Sequence, residues 1–392
     1  MRQKIAVFLL FFLIVAQPVL ARTPADTYLA EQWYLDQIDA PGAWNITVGN
    51  RDVVIAVVDS GVDIDHPDLE DKIWTNAGET ADDVIDNDRN GYVDDVHGWD
   101  FIGNDNDPRA GTENGIYDDA MNHGTIVAGI IAAKTDNDRG VAGLNWRARL
   151  MPVRILDGVG VGETKDAIKA VRYAVKNGAD VINMSFTGFS YDEKFERAIR
   201  EAYEAGVLVV AATGNESGGG VNLNETVIYP ACFRGLDDDW VLGVAASDKD
   251  DAHADFSNYG SDCTDISAPG IDIFGALNYK SGDPIFGEPY GGYYDGTSVA
   301  SPMVSAAAAL LRGAYPDITP AEIKTTLQLS VDPLNVRGTT YAGQMGAGRL
   351  NVAGALVIAL KLAVIAAGGS QLEADEVGAR LMMTIEESFV SE

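Results

Sequence analysis

The sequence predicts a doubly wound α/β domain, with a mostly parallel sheet flanked by helices. Three observations carry this expectation: short, almost wholly apolar runs rich in β-branched residues, helical periods between them, and no Pro/Gly/Ser-rich linker dividing the chain. Runs apolar at every position suit strands covered on both faces, and parallel neighbours need crossover helices of about 10–15 residues between them.

The elements follow in order. Residues 52–59 form the first strand, with Val53 to Val58 leading into Asp59 and then Gly61. Residues 164–177 place Ile168, Val171, Ala174 and Val175 on one helical face, and Asp180 to Met184 is the next strand. Residues 192–205 repeat the helical period through Phe195, Ile199, Ala202 and Tyr203, and Gly206 stops it. Val207 to Ala212 and Trp240 to Ala246 are further buried strands. Residues 352–367 are almost all apolar around Lys361, too short and interrupted for a membrane anchor, and read as a buried terminal helix. Beyond Gly368-Gly369, Val377, Leu381, Ile385 and Phe389 recur every fourth residue, a further helix packed on the domain or on a partner. The organisation expected is a signal peptide over 1–21, one catalytic domain over 22–368 and a helical extension over 369–392.

Composition narrows the class. The 392 residues are 46% hydrophobic and 22% charged, which excludes a disordered, collagen-like or coiled-coil chain. Lys and Arg number 28 against 59 Asp and Glu, a formal charge of −31 that repels a phosphate backbone and excludes a nucleic-acid partner. Arg2 and Lys4 precede an apolar run from Ile5 to Ala16, and Val19-Leu20-Ala21 offers small residues to a signal peptidase. Export to a secreted or periplasmic location is expected, with no other membrane association. Cys232 and Cys263 match no zinc spacing, so they read as one structural disulfide or as two buried thiols.

Chemistry concentrates in segments expected at strand ends and helix starts: Asp59-Ser60-Gly61, Asn122-His123-Gly124-Thr125 and Gly296-Thr297-Ser298, with Gly214-Asn215 after a strand. Ligands of open parallel sheets bind beyond the carboxyl ends of the strands, where these segments would converge. A serine hydroxyl needs an adjacent base, His123 can serve as one, and Asp59 would fix its tautomer. Ser298 at a helix N-terminus gains N–H donors for a developing oxyanion, and the Asn215 amide can add another. Of the other histidines, His66 and His97 lie in Asp-rich loops and His253 in a polar turn, so all three read as structural.

Asp59-Ser60-Gly61, His123-Gly124-Thr125-x-Val127-Ala128-Gly129, Ala212-Thr213-Gly214-Asn215 and Gly296-Thr297-Ser298-x-Ala300-x-Pro302 together resemble a subtilisin-like serine protease, a subtilase. The likeness runs from about Trp33 to Leu356. It implies a secreted endopeptidase acting on proteins or peptides, with Asp59, His123 and Ser298 as triad and Asn215 as oxyanion donor. It also implies Ser185-Phe186-Thr187-Gly188 as a cleft wall pairing with the substrate as an added strand. Ile228, where many subtilases have a small residue, implies a shallow pocket for smaller apolar side chains. Ile126 replaces a histidine often found there, without consequence for the triad. Only Arg22 to Gly49 precede the first strand, where the family commonly has a folding pro-segment. The chain is therefore expected to fold unaided, with help from 370–392, or with a separately supplied chaperone or inhibitor as partner. A processing protease dedicated to one partner and a secreted binding module without activity are the rival readings. An α/β-hydrolase esterase is excluded by Ala300 and by the order of the residues.

Residues 81–107 hold nine aspartates and a single Arg89. Asp86-x-Asp88-x-Asn90-Gly91-x-x-Asp94 spaces oxygens as in the first half of an EF-hand, and His97 at the twelfth position excludes a complete one. Structural calcium held by Asp86, Asp88, Asn90 and Asp94 is expected, with a solvated acidic loop as the alternative reading. A second site resembling the family's tight one would use Gln32, Asp68 and Asn137.

Overall fold

The computed structural model describes residues 22–112, 118–235, 239–366 and 368–390, with side chains at 380 and 383–390 outside the description. The expected signal peptide at 1–21 lies outside the described residues.

The strands are β1 (Val54–Asp59), β2 (Trp99–Asp100), β3 (Arg149–Arg154), β4 (Val181–Met184), β5 (Leu208–Ala212), β6 (Val241–Ser247), β7 (Ile266–Pro269), β8 (Ile273–Ala276) and β9 (Tyr290–Tyr294). The helices are α1 (Trp33–Gln37), α2 (Ala40–Ile46), α3 (His123–Ala132), α4 (Thr164–Lys176), α5 (Glu193–Glu204), α6 (Thr297–Ala314), α7 (Pro320–Leu329), α8 (Val352–Ala366) and α9 (Gln371–Val390). Seven strands form one parallel sheet in the order β2-β3-β1-β4-β5-β6-β7, and β8-β9 is a separate antiparallel pair. The expected doubly wound class is the one observed. From β1 the chain builds outward in both directions, so the crevice of a topological switch opens at the carboxyl end of β1, where Asp59 sits.

Every residue of β1 is buried, and its side chains alternate between two cores. Ile55 and Val57 join α3, α6 and α8 on one face of the sheet; Val54, Ala56 and Val58 join α4 and α5 on the other. Asp192 caps α5 by accepting from Lys194 N and Phe195 N, which explains the helix boundary read from sequence.

β3 is a strand that pattern reading passes over, because Pro152 lies inside it. The strand tolerates the proline because pairing with β2 begins one residue later, at Val153. The acidic segment contributes only β2 to the sheet. Asp95, fully buried, ties it to α4 by accepting from Tyr173 Oη at 2.6 Å, and Tyr92 packs edge-on against Trp99, Phe101 and Tyr173.

The apolar run 352–367 forms α8, buried through Val352 to Ala359 on its inner face. Its C-terminal half emerges, with Leu362 and Ile365 exposed, so the run is only partly buried. Lys361 pairs with Asp375 of α9 at 3.3 Å. Of the expected α9 stripe, Leu381 packs on the core, Val377 is exposed, and the side chains of 385 and 389 fall outside the description. Among the described residues no helix is long and apolar enough to cross a membrane. Cys232 and Cys263 are paired as a disulfide, with Cα atoms 4.8 Å apart.

Candidate active site

β1 delivers Asp59 and α3 delivers His123 to one point. Gly124 makes the approach possible: a Cβ there would stand 2.1 Å from Gly61 O, inside any van der Waals contact. Its N–H donates instead to Ser60 Oγ at 3.1 Å, and Thr125 Oγ1 accepts from Asp63 N. With helix and loop locked, His123 Nδ1 and Asp59 Oδ1 lie 2.7 Å apart, and Ser60 N also donates to Asp59 Oδ1. Asp59 is wholly buried, while the His123 side chain keeps 26% of its exposure. Burial pulls the imidazole pKa down, but the charge and hydrogen bond of Asp59 outweigh it and leave it above the ordinary 6.5. A ring held this way carries its proton on Nδ1 and leaves Nε2 free to act as a base.

Ser298 is the second residue of α6 and follows the cap residue Gly296. Pro302 stands four residues later inside the helix and cannot donate to the Ser298 carbonyl. Ser185 Oγ donates to that oxygen at 2.8 Å. Its one proton is thus used, so Ser301 and Asn183 Nδ2 donate to Ser185, each at 2.9 Å, and Ser305 bonds Asn183 Oδ1. This buried polar chain fixes α6 against β4.

Asn215 follows β5. Its Oδ1 accepts from Thr297 N at 2.8 Å and Thr297 Oγ1 at 2.9 Å, which commits the carbonyl side of the amide and turns Nδ2 the other way. A Cβ built on Gly296 would lie 2.8 Å from Ser298 Oγ and 3.4 Å from Asn215 Nδ2, so both groups flank the space that glycine leaves open.

His123, Asn215, Ser298 and Ser185 through Gly188 line one cleft of about 610 Å³. Gly188 is held by Tyr229 through reciprocal backbone bonds of 2.8 and 2.9 Å, and the loop from Leu156 to Thr164 forms the opposite wall. Ile228 does not line the cleft. Its side chain is fully buried with Leu223 and Cys263, and the neighbouring Tyr229 faces the cavity instead. The shallow pocket read from Ile228 is therefore not carried by its side chain. Ile126 points into the core, and His66, His97 and His253 bond the carbonyls of Pro289, Trp74 and Ser257.

The acidic loop gathers only part of the expected donor set. Asp86 and Asp88 come together with Glu79, carboxylate oxygens within 4.8 Å of one another. Asn90 turns its amide nitrogen to Asp88 and Asp95, while its oxygen accepts from Tyr92 N; Asp94 accepts from Asp83 N and Val84 N. Glu79 lies before the spaced motif, which is why spacing missed it.

At the second place, Asp68 accepts from Asn137 Nδ2 at 2.9 Å, and Asn137 Oδ1 accepts from Arg139 N, so the amide turns its nitrogen and not a ligand oxygen to the carboxylate. Gln32 is engaged elsewhere, with both ends of its amide bonded to the Ala142 peptide. The acid that sequence reading missed is Asp26. It is 5% exposed, its Oδ1 has no partner, and burial, reinforced by repulsion from Asp68, pushes its pKa up to about 6. A buried carboxylate oxygen without a donor, beside a second carboxylate, is oxygen chemistry that suits a hard cation.

The model of the Subtilase family matches residues 50–348. The thermophilic serine proteinase of Bacillus sp. (strain AK1) is 36% identical over 82% of this chain and 67% of its own length. Thermitase of Thermoactinomyces vulgaris is 33% identical over 82% of this chain and 95% of its own. The halolysin-like extracellular serine protease Nep of Natrialba magadii is 33% identical over 78% and 48%. A solved structure of the Pseudoalteromonas arctica PAMC 21717 proteases superposes with a TM-score of 0.69 at 30% identity, covering 86% of this chain and 99% of that one. The chain belongs to the subtilase family and is a subtilisin-like serine endopeptidase acting on protein or peptide substrates.

Proposed function

We propose that this chain is an exported endopeptidase that cleaves peptide bonds through an acyl-enzyme, with Asp59, His123 and Ser298 as its triad. The observation that carries the reading is the His123–Asp59 hydrogen bond of 2.7 Å at the edge of the cleft that Ser298 and Asn215 share. As Ser298 Oγ bonds the scissile carbonyl carbon, its proton passes to His123 Nε2, and Asp59 stabilises the imidazolium. The carbonyl oxygen becomes an oxyanion that receives Asn215 Nδ2–H and the backbone N–H at the start of α6. Collapse expels the amine, which takes the proton from His123. Water then hydrolyses the ester by the same route in reverse. Ser185 through Gly188 hold the peptide as an added strand.

Calcium is proposed at Asp26 and Asp68, and at Glu79, Asp86 and Asp88, where it supplies positive charge to the folded state alone. The remaining parts of the reading are a signal peptide at 1–21, a peptidase domain over 22–368, an extension over 369–392, and a separate folding chaperone or inhibitor. The disulfide and the extracellular relative named above support export.

The test is fluorophosphonate labelling of the purified chain, read by intact mass beside a Ser298→Ala control. One label per chain, absent from the control, is expected; a folded chain that takes no label defeats the proposal.

A further inference from the structure

The loop after β1, the end of α3 and the start of β3 enclose a second cavity, of about 510 Å³. Arg51, Lys72, Lys134, Arg147 and Arg149 line it, against Glu70 and Asp71. A concentration of five cations around one concavity is anomalous in a chain of net charge −31. Internal pairing does not explain it. Lys134 pairs with Asp71 at 2.6 Å, Arg149 donates to the Asp71 carbonyl and Lys72 to the Trp146 carbonyl. Arg51 and Arg147 are exposed and have no ion-pair partner among the described residues.

We propose that this cavity is an anion-binding site, whose ligand carries two or more linked phosphate- or sulfate-type groups. A single tetrahedral oxyanion would leave most of the volume empty, and two free guanidiniums offer forked donors suited to such oxygens. Lys72 reports the unbalanced field. Burial first, then the charges of Arg149 and Arg51, push its ammonium down to about 8. A bound anion reverses that push. The site lies at the far end of α3 from His123, since Lys134 follows the helix that His123 begins. Its ligand therefore anchors or concentrates the enzyme without entering the peptide cleft.

The probe is a pyrenetrisulfonate dye, which has little affinity for calcium, titrated into the full chain at low salt and followed by fluorescence anisotropy. One dye per chain is expected, displaced by excess inorganic sulfate. The Arg51→Glu/Arg147→Glu double variant replaces exposed, unpaired side chains; it should keep the native melting temperature and bind about tenfold more weakly or worse. In the wild type, saturating dye should slow acylation of Lys72 at pH 8.5, mapped by peptide mass, because the amine becomes more protonated. An unchanged affinity in the double variant, an unchanged Lys72 rate at saturation, or no anisotropy change up to millimolar dye overturns the site. Displacement by citrate at lower concentration than by sulfate overturns the ligand class.

Discussion

Ser185 Oγ holds the carbonyl oxygen of Ser298 at 2.8 Å, in the position that Pro302 bars to a helical N–H. The proline and the serine, on different elements, thus set the pitch of the first turn of α6 together. Ser185→Ala leaves that carbonyl without its donor and should cost about 1–3 kcal/mol of stability. A chemical denaturation midpoint measures the loss. Fluorophosphonate labelling should also slow, and Ser185→Thr, which keeps the hydroxyl, should restore part of the rate.

Asp59 raises the His123 pKa against the pull of burial. As the proposed base, His123 works in its neutral form, so activity should rise with pH through a midpoint above 6.5. Stability runs the other way: this group's contribution is complete below its unfolded pKa and is lost as pH climbs through the folded one. In Asp59→Asn only burial remains, so the acid limb should move to lower pH while kcat falls about 10⁴-fold. A pH profile of kcat/KM for both proteins checks this; an acid limb that stays in place refutes the assignment.

Asn215→Ala should reduce kcat by about 10²–10³ with little change in KM, because an oxyanion donor, the role proposed for this amide, acts on charge that develops only in the transition state. Thr297→Val removes one of the two donors that orient that amide and should cost less than Asn215→Ala. Full activity in Asn215→Ala would exclude the oxyanion role.

Chelation should lower the melting temperature, since an ion bound only to the folded state stabilises it by mass action. Asp26→Asn should lose most of that response, and Gln32→Ala should keep it, because Gln32 is already spent on the Ala142 peptide. Calorimetry with and without chelator separates the two. An equal loss in both variants would return Gln32 to the ligand set.

The parts of the fold readable from sequence are those whose periodicity one face enforces. β1 is apolar from Val54 to Val58 because two cores claim alternate residues, and α5 announces itself through the Asp192 cap. The Asp59, His123, Asn215 and Ser298 segments were legible because each needs a glycine or a helix start beside it. What escaped depends on distant chain. Nothing near Pro152 in sequence says that β2 pairing begins only at Val153, so that the N–H which proline lacks is not needed there. Asp26 becomes a candidate cation ligand only when folding sets it beside Asp68. Ile228 had a plausible position along the chain, but its direction was decided by the small core it shares with Cys263.

α8 packs on α2, and Val352 N donates to the Ile38 carbonyl at 2.9 Å. The domain's first helices are thus clasped by its last buried one, and every pairing in the main sheet joins strands separated by a crossover. Such high contact order makes closure a late and slow event. A chain that already contains Asp59 and His123 but stops short of α8 still lacks the element that shuts its core.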